Sequence, residues 1–297
     1  MIDYRDIIKN RELRLKLIQL LRFIPDEPYL KMVYWIKTGK KLNLKNPQTF
    51  CDKLNWLKLH DRHPEYSKLA DKITVKEIVK EKLGYDACFE TLGVYDHYDD
   101  IDFDSLPNEF VMKCNHDSGS VKIIHNKNEI NHKELRKFFE GRLKIEQYLI
   151  GREYSYKGIK PKILIEKYMV PEGQTDITDY KFFCFDGEPK IVYTVINRYS
   201  GDTKIDYYDM DWNYLNIVDG CKPKSLTKAE KPKLFEELKE TTKILSKGIK
   251  FVRIDLYEVN GTIYLGEYTF YENGGFVLVT PDEWNYKLGE LIKINND

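Results

Sequence analysis

Phe251-Val252-Arg253-Ile254-Asp255-Leu256-Tyr257-Glu258-Val259-Asn260-Gly261-Thr262-Ile263-Tyr264-Leu265-Gly266-Glu267-Tyr268 carries the reading that decides the fold class. Two runs rich in β-branched and aromatic residues flank Asn260-Gly261, a pair whose tolerance of positive φ suits the two-residue turn of an antiparallel hairpin. Asp186-Gly187 repeats the signal between the strands Tyr180 to Phe185 and Lys190 to Val195. Upstream, Phe110 to Cys114 and Val121 to Ile124 read as strands around the polar turn Asn115-His116-Asp117-Ser118-Gly119-Ser120, and Ile163 to Met169 reads as a further strand. Helical spacing fills the first third, including Thr74 to Leu83 behind a capping Asp71, and returns over about Lys133 to Leu149 and Lys228 to Lys247. Hairpin-joined strands do not fit the regular βαβ order of a doubly wound sheet, which leaves an α+β fold.

The chain of 297 residues is long enough for one large domain or two small ones with a proper core. Lys+Arg 48 balance Asp+Glu 48, and 22 Tyr with 14 Phe argue against a disordered chain and against a nucleic-acid binder with a globally basic surface. No run approaches the ~20 apolar residues of a spanning helix. Met1 to Asn10 carries charges where a secretory leader has its apolar segment, so the expectation is a soluble, cytoplasmic protein. Cys51, Cys88, Cys114, Cys184 and Cys221 lie far apart without a C-x-x-C pair and read as reduced thiols. Charge is uneven, since residues 1–50 hold eleven Lys/Arg against five Asp/Glu. There Ile7, Ile8, Leu15, Ile18, Leu21 and Phe23 recur at helical spacing among Arg11, Arg14, Lys16 and Arg22. Such a helix either packs on its own domain or lies on an anionic surface such as the inner face of a membrane.

Two constellations carry chemistry. Lys113 alternates with apolar residues on a strand leading into Ser118-Gly119-Ser120, a loop able to offer N–H groups and hydroxyls to phosphate oxygens. Arg253 and Asp255 share a strand face, and the Asn-Gly turn returns Glu267 toward them. Two convergent carboxylates beside an arginine suit Mg²⁺, which takes hard oxygen ligands and keeps several waters. Taken alone, the first set also fits an ordinary hairpin turn and the second a surface cross-strand ion pair. Tyr207, Tyr208, Trp212 and Trp284 read either as a sugar-stacking wall or as core packing.

In order along the chain stand Asn46-Pro47-Gln48-Thr49-Phe50, Lys53-Leu54-Asn55-Trp56-Leu57, Asp71-Lys72, Leu106-Pro107, Phe110 to His116, Asp179 to Phe183, Val252 to Tyr257 and Gly266 to Tyr271. This ordered set resembles the ATP-grasp superfamily and, within it, the TupA-like proteins named for teichuronopeptide biosynthesis and found in surface-polysaccharide gene clusters. The resemblance implies two α+β subdomains clasping ATP, expected at 71–168 and 169–297, behind a helical basic region over 1–70. It implies ATP and Mg²⁺ as cofactors. Lys72, Lys113, Ser118, Gly119 and Ser120 then face the phosphates, Glu166, Lys167, Tyr168 and Met169 line the adenine, and Asp179 contacts the ribose. Asp255 and Glu267 match the metal acids, with Arg253 and Lys181 near the transferred phosphoryl group. Two positions depart from the family pattern: Thr269 or Asn273 stands in for a second-metal asparagine, and Asp117 occupies a place usually held by glycine.

The activity so implied is a carboxylate–amine ligase working through an acyl-phosphate, joining an amino acid or amine to a sugar acid or amino sugar. Its acceptor is then a small-molecule or lipid-linked glycan, and no nucleic acid is involved. A sugar kinase using His116 or Glu272 as base, and a non-catalytic nucleotide-binding scaffold, are the competing readings.

Overall fold

The computed structural model describes residues 11–171, 177–196, 203–220, 225 and 228–294. Ile7, Ile8 and Cys221 of the sequence reading lie outside them. The chain enters through α1 (Arg11–Leu20) and α2 (Asp26–Thr38), followed by α3 (Phe50–His60), α4 (Pro64–Ala70) and α5 (Val75–Leu83). A capping box fixes the start of α3. The Thr49 hydroxyl accepts the Asp52 N–H (3.2 Å), and the Asp52 carboxylate accepts the N–H groups of Thr49 (3.2 Å) and Asn43 (2.9 Å). Asp71 does not cap α5 as expected: its Oδ1 accepts the Ile73 N–H (3.0 Å) and the Asn115 amide (2.8 Å), and the helix starts after Thr74.

All sheet pairing is antiparallel among the described strands. β1 (Thr91–Tyr95), β2 (Phe110–Cys114), β3 (Lys122–Ile124) and β4 (Ile163–Lys167) form a four-stranded sheet in the order β1-β4-β2-β3. A larger sheet runs β11-β10-β5-β6-β7-β8. It is made of β5 (Asp179–Phe185), β6 (Glu188–Ile196), β7 (Lys204–Asp209), β8 (Tyr214–Leu215), β10 (Phe251–Val259) and β11 (Thr262–Thr269). The short β9 (Val218–Asp219) pairs with β12 (Val279–Thr280). Both expected tight turns are present with left-handed residues at each central position, Asp186-Gly187 (φ 49° and 79°) and Asn260-Gly261 (φ 50° and 78°).

Two expected helices are shorter than their sequence pattern. The first ends as α6 (His132–Leu143), and Tyr148–Gly151 forms a separate turn, α7. Between them Ile145 is buried and its carbonyl is taken by His116 Nε2 (3.1 Å), a tertiary contact that ends the helix. The second is α8 (Phe235–Ser246), because Pro232 lacks an N–H and disfavours helix in the residue before it. A final helix, α9 (Glu283–Leu291), packs on α3.

The larger core gathers Phe182, Phe183, Phe251 and Ile254 of the six-stranded sheet with Phe50, Leu54 and Leu57 of α3 and Leu238 and Leu245 of α8. Val75, Val79 and Ala87 belong to this core, so the segment after residue 71 packs on the large sheet although it precedes the small one in sequence. The small sheet has its own core, with Phe110, Met112, Ile163 and Ile165 packed against Leu135 and Phe139 of α6. Tyr207 and Tyr208 are each 2% exposed, and Trp212 stacks on Tyr208 at 4.4 Å with its indole N–H on the Ala229 carbonyl (3.2 Å). With Trp284 packed on the same core, these rings are packing and not a sugar wall. Cys51, Cys114 and Cys184 are buried free thiols pushed up to about 12 by burial, and the half-buried Cys88 to about 11, in keeping with reduced cysteines.

Candidate functional site

Register alone assembles one end of a cavity of about 540 Å³ between the two sheets. Asp255 lies on β10 between β5 and β11. Its partner on one side is Lys181 and on the other Glu267, so three charged residues form a row across three strands. Lys181 Nζ bonds Asp255 and also Asp179 (2.7 Å). Arg253, two residues before Asp255 and on the same face, has all five of its N–H donors committed. Nε and Nη2 form a fork on Asp255 (2.5 and 2.7 Å), Nη2 also reaches Glu267 (2.9 Å), and Nη1 meets Glu272 (2.5 Å) and the Tyr193 hydroxyl (3.1 Å). Burial would lower Arg253, but Asp255 and Glu272 hold it well above its ordinary value. Asp255 is pushed up to about 6 by burial, with Asp179 and Glu267 adding to the effect against Arg253 and Lys181.

On the facing side of the cavity, its lysine end, the polarity is reversed. Glu166 of β4 is buried between Lys113 of β2 and Lys76 of α5 (2.6 Å to the latter). Burial alone would raise Glu166, and the two lysines hold it below its ordinary value. Lys72 donates to the Asp117 carbonyl (2.6 Å) and so ties the turn before α5 to the loop 115–120. In that loop Ser118 and Gly119 are exposed at the tip and line the cavity, while Asn115, His116, Asp117 and Ser120 are buried. Gly119 is left-handed (φ 81°), a conformation that costs glycine least.

The departure at Asp117 has a physical answer. Its carboxylate accepts Arg142 Nε (2.5 Å) and the Ser120 hydroxyl (2.5 Å), so the charge is neutralised inside the loop. The Ser120 hydroxyl is engaged there and also accepts the Cys114 N–H (2.8 Å), which leaves the tip to Ser118 and Gly119. The adenine expectation changes in detail: the Glu166 carboxylate is taken by lysines, and Tyr168 and Met169 line the cavity beside it. Lys167 is exposed and pairs with Glu90 (3.3 Å). Asp179 is 1% exposed and meets the cavity through Lys181. The Thr269 hydroxyl donates to Glu267 (3.3 Å), whereas the Asn273 amide donates to Asp219 and Glu272 (both 3.2 Å). Among the described residues no three acidic, His or Cys side chains are placed to hold a metal ion together. Two facing carboxylates with phosphate oxygens and waters are nevertheless the set Mg²⁺ ordinarily takes, and Asp255 and Glu267 are such a pair.

Sequence reasoning missed Lys76, Arg142 and Phe89. Lys76 follows Lys72 by one helical turn, a spacing that could have flagged it. Phe89 lines the cavity and stacks on Tyr264 at 5.1 Å. Of the two bases considered for a kinase, His116 is 2% exposed with its value lowered by burial, and Glu272 is held by Arg253 and by the Tyr193 hydroxyl (3.1 Å). No described helix is long and apolar enough to cross a membrane.

A protein-family model described as TupA-like ATPgrasp matches residues 52–293. No curated protein matches the chain significantly. Among solved structures it is similar to the D-alanine–D-alanine ligase of Bacillus anthracis complexed with ATP (17% identity, TM-score 0.38). That match covers 68% of this chain and 54% of the other, so the present chain spans about half the length of that ligase. It is also similar to the ATP-grasp ligase PsnB complexed with minimal precursor, Mg and ADP (10% identity, TM-score 0.37, covering 70% and 52%). A third is the D-alanyl-alanine synthetase A of Vibrio cholerae (15% identity, TM-score 0.42, covering 82% and 68%).

Proposed function

The chain belongs to the TupA-like ATP-grasp family, and from that premise we propose that it is an ATP- and Mg²⁺-dependent carboxylate–amine ligase. The observation that carries this reading is the row Lys181–Asp255–Glu267, braced by Arg253, at one end of a cavity whose other end holds Lys72 and Lys113, with Lys76 behind them on Glu166. Lysines beside an exposed Ser-Gly tip suit the triphosphate, and Tyr168, Met169 and Phe89 line the part of the cavity suited to the flat base. Asp255 and Glu267 would hold Mg²⁺, which supplies Lewis-acid charge neutralisation at the transferred phosphoryl group.

The rest is positioning. Lys181, beside Asp255 in the row and lining the cavity with it, meets the γ-phosphate. Arg253 keeps both acids aimed and reaches a phosphoryl oxygen only by releasing one of its five bonds. The acceptor carboxylate attacks the γ-phosphorus and ADP leaves; the amine then attacks the acyl carbon, phosphate leaves, and the amine's proton passes to phosphate or water. A closing movement of the small sheet with α6 over the large sheet, to which the segment carrying Val75, Val79 and Ala87 stays packed, would exclude water during both steps. His116 is buried outside the lining of the cavity and Glu272 is held by Arg253 and Tyr193, so no observation favours the kinase alternative over the ligase.

On the acceptor side the finer reading is surface-polysaccharide synthesis at the cytoplasmic face of a membrane, with an amino acid or amine joined to a small or lipid-linked glycan. Lys37 lies over the Phe276 ring (4.7 Å), next to the turn that carries Glu272, and extends the basic region toward that side. Leu13, Leu17 and Leu20 follow one exposed face of α1, and Phe23 beyond it is 78% exposed, which suits a peripheral lipid contact. Incubation with ATP, Mg²⁺ and hydroxylamine across a panel of uronic and amino acids tests the chemistry. A hydroxamate supports the ligase; a phosphosugar, or nucleotide binding with no turnover, contradicts it.

A further inference from the structure

One buried pair of side chains has no part in the chemistry above. Asn55 and Lys58, one turn apart on α3, are both 0% exposed, although a lysine is among the residues least often buried completely. Their donors reach two successive carbonyls of a distant turn, and Asn55 Nδ2 also donates to the Cys51 carbonyl one turn back in α3 (2.9 Å). Lys58 Nζ donates to Gly274 O (2.6 Å) and to Asn55 Oδ1 (3.0 Å), and Asn55 Nδ2 donates to Gly275 O (2.7 Å). The ammonium also lies over the Phe276 ring at 4.2 Å, at the downstream end of that turn.

The turn is one that the chain would not hold unaided. Asn273, Gly274 and Gly275 are all left-handed (φ 48°, 62° and 68°), and the first carries a side chain. A Cβ on Gly275 would stand 2.9 Å from Asn55 Nδ2 and 3.3 Å from Leu54 Cβ, so backbone and helix are in close contact there. The same turn delivers Glu272 to Arg253 and Asn273 to Asp219. Helix α3 is a firm base for such a grip, since its start is fixed by the Thr49–Asp52 capping box.

We propose that Asn55 and Lys58 are positioning residues, which clamp the left-handed turn 273–275 through its carbonyls and thereby keep Glu272 on Arg253 at the acid end of the site. Without the clamp the turn relaxes, Glu272 leaves the guanidinium, and Arg253 redistributes over Asp255 and Glu267. The lysine end of the cavity is untouched. The clamp itself is a statement about structure; its consequence for turnover rests on the ligase reading.

The test uses Lys58→Met, which keeps the chain length without the ammonium, and the isosteric Asn55→Asp, which removes the donor to Gly275 O. Amide hydrogen exchange of residues 271–276 is measured beside that of residues 110–124, together with ATP consumption in Mg²⁺ using hydroxylamine as amine. Exchange in 271–276 should rise about tenfold with 110–124 unchanged, while kcat falls about tenfold and the KM for ATP stays within about twofold. If Lys58→Met does not fold, Asn55→Asp decides. Wild-type exchange rates in 271–276 of a folded variant overturn the clamp, and so does a raised KM for ATP with kcat unchanged. A wild-type protein that consumes no ATP with any acceptor defeats the ligase reading, and the exchange measurement still decides the clamp.

Discussion

The two ends of the cavity are built from the same residue types in opposite proportion. At the lysine end Lys72, Lys76 and Lys113 stand against the single carboxylate of Glu166, with Asp117 already neutralised by Arg142. At the acid end Asp179, Asp255, Glu267 and Glu272 stand against Lys181 and Arg253. One end is left two charges positive and the other two negative, although the chain as a whole is neutral. A buried excess of one sign is costly unless a ligand of the other sign completes it. Polyphosphate suits the first end and a divalent cation the second, and a Mg²⁺-nucleotide brings both in one molecule. The contrast teaches that minority charges are also placed with purpose: Glu166 keeps two lysines from repelling each other, and Arg253 does the same for three acids.

The largest effect is expected where the excess acid is removed. Glu267 is partly exposed, so Glu267→Gln should leave the fold intact while steady-state ATP consumption falls by about a thousandfold or more. Near-normal turnover would remove Glu267 from the acid end. Asp255 is different, being buried under both cations. Asp255→Asn should also cost about 3–5 kcal/mol of stability in denaturant titration, because Lys181 and Arg253 lose their common partner. An Asp255→Asn protein as stable as wild type would show that the row is not a coupled unit.

At the lysine end the minority charge should report through pH. The folded-state value of Glu166 is depressed below its ordinary 4.5, so its stabilisation is present above that value and is lost as pH falls through the folded value. The stability difference between wild type and Glu166→Gln should therefore be largest near neutrality and shrink as pH falls below about 4.5. A pH-independent difference would mean that Glu166 acts by packing alone.

These contrasts also show what the sequence could and could not reveal. The Asn260-Gly261 and Asp186-Gly187 turns were legible because hairpin geometry is written in two adjacent residues. Regular pairing from the first turn would set Gly266 opposite Asp255, and it is a shift in register between Asp255 and Leu256, which no turn residue announces, that brings Glu267 opposite it. The end of α6 was not legible, because His116 claims the Ile145 carbonyl from a different part of the chain. The same holds for Arg142 on Asp117 and Lys58 on Gly274, which join segments far apart in sequence and leave no periodic trace; Lys76 on Glu166 differs, since its spacing from Lys72 marks the lysine though not its partner. Asp117 is instructive, since a carboxylate beside phosphate is unfavourable by itself and the arginine that neutralises it comes from α6.

A smaller effect should appear in the loop between the two ends. With Asn115 to Asp117 and Ser120 already held by internal hydrogen bonds, protection from hydrogen exchange on adding ATP and Mg²⁺ should concentrate at Ser118 and Gly119. Uniform protection over 115–120 would mean that the whole loop folds on the nucleotide. The smallest effect belongs to the basic N-terminal region. Neutral replacement of Lys37, Lys40 and Lys41 should raise the KM for an anionic acceptor a few-fold, or weaken anionic liposome binding, and the effect should fade at high salt. A change in the ATP constant alone would put this patch at the nucleotide instead.

The division of labour between the two ends is tested most directly by calorimetric ATP binding to wild type and Glu267→Gln, each in EDTA and in Mg²⁺. If the lysine end takes the nucleotide and the acid end the metal, both proteins should bind ATP in EDTA within about twofold of each other, and the tightening produced by Mg²⁺ should be lost in the variant. Equal Mg²⁺-dependent tightening in both proteins, or loss of ATP binding by Glu267→Gln in EDTA, would contradict the account.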